Sequence, residues 1–282
     1  MPPQTTNVQP TFQIPVTVTD TSHSGLYIEL GATGLSYVVM DHQKNISGAV
    51  LYSFSPELDH SELLEAIQTV LKQEQSLSNR FEKTHIIWSF PECLLVPHEL
   101  MDDAHAGEML DLVYGDAKNG TLKTDFIYQL NMHALYRIPE QIEKLMRLHF
   151  SSATQVHQYA LLPVCSNKVS DELLLIFYNN RFTAMLHVAG KLQMIRSFNF
   201  QQPLDALYHL LNMSTQFNLD VNTIQLRLCG MVDAKSNLFE TISKYFLHIE
   251  MVQWPADITC KTGTDHFPPH FFSQVFIQAL CV

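Results

Sequence analysis

The stretch from Leu173 to Phe200, LLLIFYNNRFTAMLHVAGKLQMIRSFNF, constrains the fold more than any other part of the chain. Leu173 to Tyr178 is an unbroken apolar run, as a strand buried on both faces requires. Asn179 and Asn180 supply two residues that tolerate the left-handed conformation of a tight hairpin turn. Phe182 to Val188 reads as a second strand, Ala189-Gly190-Lys191 as another turn, and Leu192 to Phe200 as a third strand. Gln202-Pro203 then opens a helix, with Leu204, Leu207, Tyr208 and Leu211 spaced as one buried stripe. Thr223 to Cys229 alternates Ile224, Leu226 and Leu228 inward against Gln225 and Arg227 outward. The order is strand, strand, strand, helix, strand.

The same order occurs once before. Leu26 to Leu30 is a strand, Gly31 to Gly34 a turn, Leu35 to Met40 a strand, Asp41 to Asn45 a turn, and Gly48 to Phe54 a third strand. Asp59 and Ser61 start a helix that carries Leu63, Leu64, Ile67, Val70 and Leu71 on one face, and His85 to Ser89 is the fourth strand. Such an internal repeat predicts two similar lobes facing each other, each a mixed five-stranded sheet with helices. The expected division is an N-terminal arm over residues 1–24, a first lobe over 25–168 and a second over 169–282. Phe12, Ile14, Val16 and Val18 alternate so that the arm can lie along a sheet edge. Pro97 to Tyr114 reads as an acidic helix broken near Gly115, and Asn119-Gly120 as a turn. Phe126 to Leu130 and Ala134 to Ile138 read as strands, and Pro139 as the start of a helix with Ile142, Leu145, Met146 and Phe150 on one side. Tyr159 to Val164 is the expected last strand of the first lobe. In the second half, a helix from Ser236 to Leu247 carries a Leu238, Phe239, Ile242, Tyr245 and Phe246 stripe and a Glu240–Lys244 surface pair. His248 to Val252 is a strand. A final helix, Phe271 to Leu280, has Phe271, Phe272, Val275, Phe276 and Ala279 on its apolar side, expected to pack against its own lobes, with docking of a partner as the alternative.

Composition narrows the function classes. With 282 residues, 46% of them hydrophobic, the chain can bury real cores without staples. A formal net charge of -11, with 17 scattered Lys and Arg, argues against a nucleic-acid surface. Cys93, Cys165, Cys229, Cys260 and Cys281 are widely spaced and form no CxxC pair, so neither a disulfide framework nor a zinc site is expected. The opening MPPQTTNVQP has no basic end and no apolar run, and no stretch approaches a membrane span. A cytoplasmic protein is expected, in which the Asn45, Asn119 and Asn212 glycosylation patterns carry no chemistry.

Three candidate sites arise from residue type and spacing. His98, Asp102 and His105 would share one face of a helix and could hold a divalent metal, although a solvated acidic face explains the same letters. His266 and His270 have HxxxH spacing, but Pro268 and Pro269 intervene. Cys93, in the apolar setting CLLV, reads as an inert core thiol rather than a nucleophile.

Three segments carry a resemblance: GLYIELGATGLSYVVMD (25–41), GKLQMIRSFNFQQPLDALYHLL (190–211) and LRLCGMVDAKSNLFETISKYF (226–246). They resemble the actin-like ATPase superfamily, which includes sugar kinases and heat-shock chaperones, and more closely a bacterial domain-of-unknown-function family within it. The resemblance implies an α/β fold of two ribonuclease-H-like lobes, a duplicated βββαβα. Active members of the superfamily hold ATP between the lobes, with two hairpin turns gripping phosphates and a glycine-rich turn near the adenosine. The positions that match are Glu29, Gly31, Thr33 and Gly34 at the first hairpin and Gly230 at the adenosine turn. Glu29 stands where an Asp is usual, and Gly230 is one glycine of the usual two. The second hairpin, Phe177-Tyr178-Asn179-Asn180-Arg181-Phe182, has neither the carboxylate nor the glycines. The glycines of the first hairpin also read simply as turn residues needing positive φ. No catalytic residue, metal ligand or obligatory cofactor is assigned, ATP with magnesium being the alternative. Two functions follow: a non-catalytic interaction or assembly protein with a protein partner, or a divergent ATPase using Glu29 and Gly31.

Overall fold

The computed structural model describes residues 8–16, 20–116, 120–165, 171–260 and 268–282. These fall into two compact units, one within Met1–Leu161, Asp257–Gly263 and Val282, the other within Leu162–Ala256 and Thr264–Cys281.

The first unit begins with β1 (Phe12–Ile14), β2 (Ser24–Gly31), β3 (Gly34–Asp41) and β4 (Asn45–Ser53). As expected of the arm, β1 pairs antiparallel with β4, aligning Phe12 with Leu51 and Ile14 with Ala49. Val18 lies outside the described residues. Helix α1 (His60–Gln73) starts at a reciprocal cap. Asp59 accepts from the backbone N–H groups of Ser61 and Glu62, and Glu62 accepts from that of Asp59. Such a cap contributes about 1 kcal/mol. The buried face of α1 is Leu63, Ala66, Ile67, Val70 and Leu71.

After α1 come β5 (Lys83–Trp88), β6 (Cys93–Pro97), α2 (Ala106–Tyr114), β7 (Gly120–Ile127), β8 (Met132–Pro139), α3 (Glu140–His149), β9 (Thr154–His157) and α4 (Gln158–Cys165). The sheet order β1-β4-β3-β2-β5-β9 places β2 at the centre, antiparallel to β3 and parallel to β5. A seventh strand arrives from far along the chain, β15 (Thr259–Cys260), parallel to β4. Strands β6, β8 and β7 form a separate three-stranded sheet.

Three expectations are corrected in this unit. Its main sheet has seven strands rather than five, because β1 and β15 extend it beyond β4. Tyr159 to Val164 is helix, not strand; a short run that is apolar throughout carries no period to tell the two apart, and the fifth strand of the repeat is instead Thr154–His157. The acidic segment is not one helix. Pro97 ends β6, His98–Leu100 is a single 3-10 turn, and α2 begins only at Ala106. Asp102 stops the helix by accepting from the Ala104 N–H at 3.0 Å, the local side-chain bond that competes with helical backbone bonds.

The second unit repeats the plan. β10 (Glu172–Phe177), β11 (Arg181–Val188), β12 (Lys191–Asn199), α5 (Pro203–Gln216), β13 (Gln225–Gly230), α6 (Asn237–Ser243) and β14 (His248–Met251) follow in order. The sheet order β12-β11-β10-β13-β14 matches β4-β3-β2-β5-β9 strand for strand. The first strand of each repeat is antiparallel to the second and parallel to the fourth. β10 is buried on both faces, as its unbroken apolar run requires. Leu173, Leu175 and Phe177 pack with Leu207 and Leu210 of α5 and Ile242 of α6, whereas Leu174 and Ile176 join Met185, Cys229 and Val252 on the other face. Each such side chain removed from water contributes about 1.5–3 kcal/mol.

The stripe on α5 is shifted from the expected one. Leu204 and Tyr208 are exposed, and the helix buries Ala206, Leu207, Leu210, Met213 and Ser214. A small Ala and a Ser belong to this buried face, which periodicity in large apolar residues does not reveal. Glu240 and Lys244 pair at 2.9 Å as expected. In place of one final helix, a 3-10 turn (Pro269–Phe271) precedes α7 (Ser273–Ala279), and Phe271, Phe272, Val275, Phe276 and Ala279 are all buried. Cys165 and Cys281, expected as free thiols, form a disulfide.

A polar seam ties the three-stranded sheet of the first unit to its main sheet. Gln155 on β9 accepts from the Trp88 indole at 3.3 Å and from Lys123 Nζ at 2.6 Å, and Lys123 also pairs with the buried Glu143 at 3.1 Å. Asp125 on β7 accepts from the His157 backbone N–H at 2.6 Å and from the Tyr136 hydroxyl at 3.3 Å. Burial pushes the Asp125 carboxyl up to about 6, against the opposing hydrogen bonds and the charge of Lys123. A carboxyl raised in the folded state contributes stability that is complete below its unfolded pKa and lost as pH rises through the folded value. The stability of the wild-type protein relative to Asp125→Asn, followed by urea unfolding, is therefore expected to fall by ~2 kcal/mol between pH 4 and pH 7. A constant difference across that range would show that Asp125 ionises normally.

Candidate functional site

The residues matched to the superfamily's phosphate contacts lie on one hairpin of the first unit. Glu29 is buried in β2, facing Ser36 on β3 and Ile87 on β5 in register. Gly31 pairs with Gly34 across the two-residue turn Ala32-Thr33. The Thr33 carbonyl accepts from the Phe54 N–H at 3.0 Å, and its buried hydroxyl has no hydrogen-bond partner among the described residues. Neither Gly31 nor Gly34 has positive φ, which corrects the reading of them as left-handed turn residues. Close approach explains them instead. A Cβ on Gly31 would lie 2.4 Å from the Ser89 hydroxyl oxygen and 3.0 Å from the Ser89 carbonyl oxygen, and one on Gly34 would lie 2.8 Å from the Tyr52 carbonyl oxygen.

The second hairpin and Gly230 belong to the second unit. Phe177 pairs with Phe182, and the turn between them closes with the Tyr178 N–H donating to the Arg181 carbonyl at 2.8 Å. Asn179 and Asn180 do not use the left-handed region, which this unit uses instead at Ala189-Gly190, with φ of 49° and 71°, and at Asn218. Arg181 is 2% exposed, and its guanidinium carbon lies 4.5 Å from the centre of the Tyr178 ring. Phe177, Phe182, Phe198 and Phe200 pack around the base of the hairpin with ring centres 5.4–6.1 Å apart. Gly230 ends β13 at φ +80°, and a Cβ there would meet the Phe177 carbonyl oxygen at 2.2 Å and Gln274 Oε1 at 2.9 Å. The next residue, Met231, donates its N–H to that same Phe177 carbonyl at 2.7 Å. Gly230 thus serves the packing of its own unit, and sequence reasoning had no signal for Gln274 beside it.

The metal candidate comes apart. His98 Nδ1 lies 2.9 Å from His133 Nε2, a partner the sequence did not suggest, whereas His105 pairs with Asp102 at 2.7 Å. The hydrogen bond and charge of Asp102 raise the His105 pKa, and the hydrogen bonds from His105 and from the Ala104 N–H lower that of Asp102. Among the described residues no group of three or more His, Cys, Asp or Glu side chains could hold a metal ion. His270 is buried with Nε2 2.5 Å from the Val232 carbonyl oxygen, and His266 lies outside the described residues. The Cys93 thiol is buried and its pKa is pushed well up by burial, with the charge of Asp125 adding to the shift, so it is not poised as a thiolate.

The glycine geometry separates two kinds of substitution. Gly115 has φ +84° and ψ 167°, a backbone region that is essentially glycine's alone, and a Cβ there would meet nothing within 4 Å, so Gly115→Ala is expected to lose only that conformational preference, about 1–3 kcal/mol. Gly230→Ala adds a collision with backbone and is expected to cost at least about 2 kcal/mol more in urea unfolding. Equal losses would mean that the turn after β13 relaxes freely.

Among the described residues no helix is long and apolar enough to cross a membrane. No curated protein matches the chain. Among solved structures, a Bacteroides thetaiotaomicron protein with actin-like ATPase fold and unknown function is similar with a TM-score of 0.72 and 16% identity, over 85% of this chain and 94% of that one. The PilM-PilN type IV pilus biogenesis complex provides another similar chain, with a TM-score of 0.57 and 14% identity over 93% of this chain and 98% of that one. The fold is that of the actin-like ATPases, with a duplicated ribonuclease-H-like βββαβα plan. A family model described as protein of unknown function (DUF3822) matches residues 14–249, and the chain belongs to that family.

Proposed function

We propose that this protein is a non-catalytic interaction or assembly protein that keeps the actin-like scaffold while its nucleotide positions have passed to structural use. The observation that carries this reading is the second hairpin. Where active relatives need small residues and a carboxylate, this chain has the buried Arg181 against the Tyr178 ring, above four packed phenylalanines. Phosphate binding by such a turn needs backbone N–H groups open to the ligand. Here the Tyr178 N–H is used by the Arg181 carbonyl, and the Phe200 N–H by the Asn180 carbonyl.

The retained glycines lend no weight to the alternative of a divergent ATPase. Gly34 and Gly230 stand where a neighbouring backbone oxygen leaves no room for a Cβ, and Gly31 stands against the Ser89 hydroxyl and carbonyl. Glu29, a buried carboxylate in mid-strand, has its place in the sheet. The similarity to PilM, whose structure is of a pilus biogenesis complex, supports a protein partner in this reading.

Thermal unfolding with and without ATP and magnesium tests the proposal. A nucleotide present at 100 times its Kd would stabilise the native state by about 2.7 kcal/mol. The expected outcome is no shift and no phosphate release, with Glu29→Ala indistinguishable from wild type in both. ATP turnover that Glu29→Ala abolishes would overturn the reading.

A further inference from the structure

We infer that the second unit binds an extended, acidic segment of a protein partner as an added strand along the outer edge of β12. The inference rests on the interaction role proposed above only in taking the partner to be a protein.

The internal repeat shows what this edge lacks. In its sheet β12 holds the place that β4 holds in the first. Two separate stretches of the chain cover the outer edge of β4, with β1 antiparallel opposite Ala49, Val50 and Leu51 and β15 parallel opposite Asn45 and Ile46. Among the described residues, β12 ends its sheet and pairs with β11 alone. Burial follows the cover. Both strands have nine residues, of which six are buried in β4 and none in β12. Open edges are usually spoiled for pairing by bulges, prolines or a very short strand. In β12 the register shift falls near the start, opposite Leu186 and His187, and Met194 to Asn199 then runs in unbroken register with β11. Such a run can template an added strand.

Side chains along the run set the chemistry of the occupant. Met194 and Phe198 are half-buried against the core on the α5 side, and Ile195 against the core on the opposite face. Arg196 lies between Met194 and Phe198 on the α5 side by strand alternation. It is exposed, its guanidinium carbon is 5.8 Å from the Phe198 ring centre, and among the described residues no carboxylate pairs with it. β12 carries Lys191 and Arg196 and no acidic residue, in a chain whose formal net charge is -11. A second copy would bring the same two cations and a like net charge, whereas a carboxylate opposite Arg196 completes a cross-strand pair. The occupant is thus an extended segment with a carboxylate facing Arg196 and apolar residues facing Met194, Ile195 and Phe198.

The capped peptide TVTEVVT, laid antiparallel, sets Val against Phe198, Ile195 and Met194 and Glu against Arg196. Titrated as a fluorescent conjugate into the full chain, it is expected to bind saturably with a Kd below about 1 mM and to slow amide exchange in β12. TVTKVVT is expected to bind the wild-type protein at least ~3-fold more weakly, and to bind Arg196→Glu, changed at an exposed position, more tightly than TVTEVVT does. Methylating the backbone nitrogens of one alternate set of peptide residues is expected to abolish binding and of the other set to leave it, since an added strand turns only every second N–H to its neighbour. No saturable binding, equal affinity for the two peptides, or equal tolerance of both methylated sets would overturn the inference. So would a dimer in sedimentation that protects the β12 amides without peptide, which would assign the edge to a second copy. None of these measurements uses nucleotide, so ATP turnover would end the function proposed above and leave this test standing.

Discussion

The burial of one strand on both faces, β2 in the first unit and β10 in the second, is the constraint on which the rest of the structure depends. A strand without a solvent face cannot sit at an edge, so each must be hydrogen-bonded on both sides. In each unit the antiparallel neighbour comes from the adjacent hairpin and the parallel neighbour from across a helix. The parallel crossover requires that helix, and the helix in turn needs an apolar stripe to cover one face of the sheet. Two units built to this rule end with the same strand order, although their sequences share little beyond apolar pattern.

At the ends of these central strands, packing accounts for the glycines. Gly31 and Gly34 let two strand backbones come close, and Gly230 lets the chain turn over the Phe177 carbonyl. Gly34 and Gly230 are held by contacts with backbone, which cannot move aside as a flexible side chain can, whereas the nearest atom to Gly31 is the Ser89 hydroxyl. In the second hairpin Arg181 and Tyr178 fill volume and stack, and the Tyr178 N–H closes the turn on the Arg181 carbonyl. A glycine in a turn is therefore ambiguous as a sign of phosphate binding unless its neighbours are known.

Buried polar groups mark the places where the two units differ most from a generic sheet-and-helix plan. In the first, Asp125, Tyr136, His157 and Gln155 join the small sheet to the large one. His157 is fixed in this seam, with Nδ1 accepting from the Tyr159 N–H at 3.1 Å and Nε2 2.9 Å from the Phe90 carbonyl oxygen. In the second unit, Glu172 and Arg227 pair at 3.5 Å, and among the described residues Glu172 Oε1 has no hydrogen-bond partner. The first arrangement rigidifies; the second leaves an acceptor over.

What the sequence determined by itself was the order and type of the elements where a single period dominates. The apolar run of β10, the alternation in β13, the capping residues of α1 and the repetition of the whole order are local properties, legible because neighbouring residues obey one geometry. The chain could not show that Tyr159 to Val164 is helical, since a run apolar at every position fits either period. Nor could it show that Asp102 ends a turn, or that a late segment supplies the strand Thr259–Cys260 to the first sheet. The polar seam, the Cys165–Cys281 disulfide, the space denied around each glycine and the unpaired oxygen of Glu172 were decided by tertiary structure alone. Each depends on atoms brought together from distant parts of the chain, and distance through space is the quantity that residue order does not encode locally.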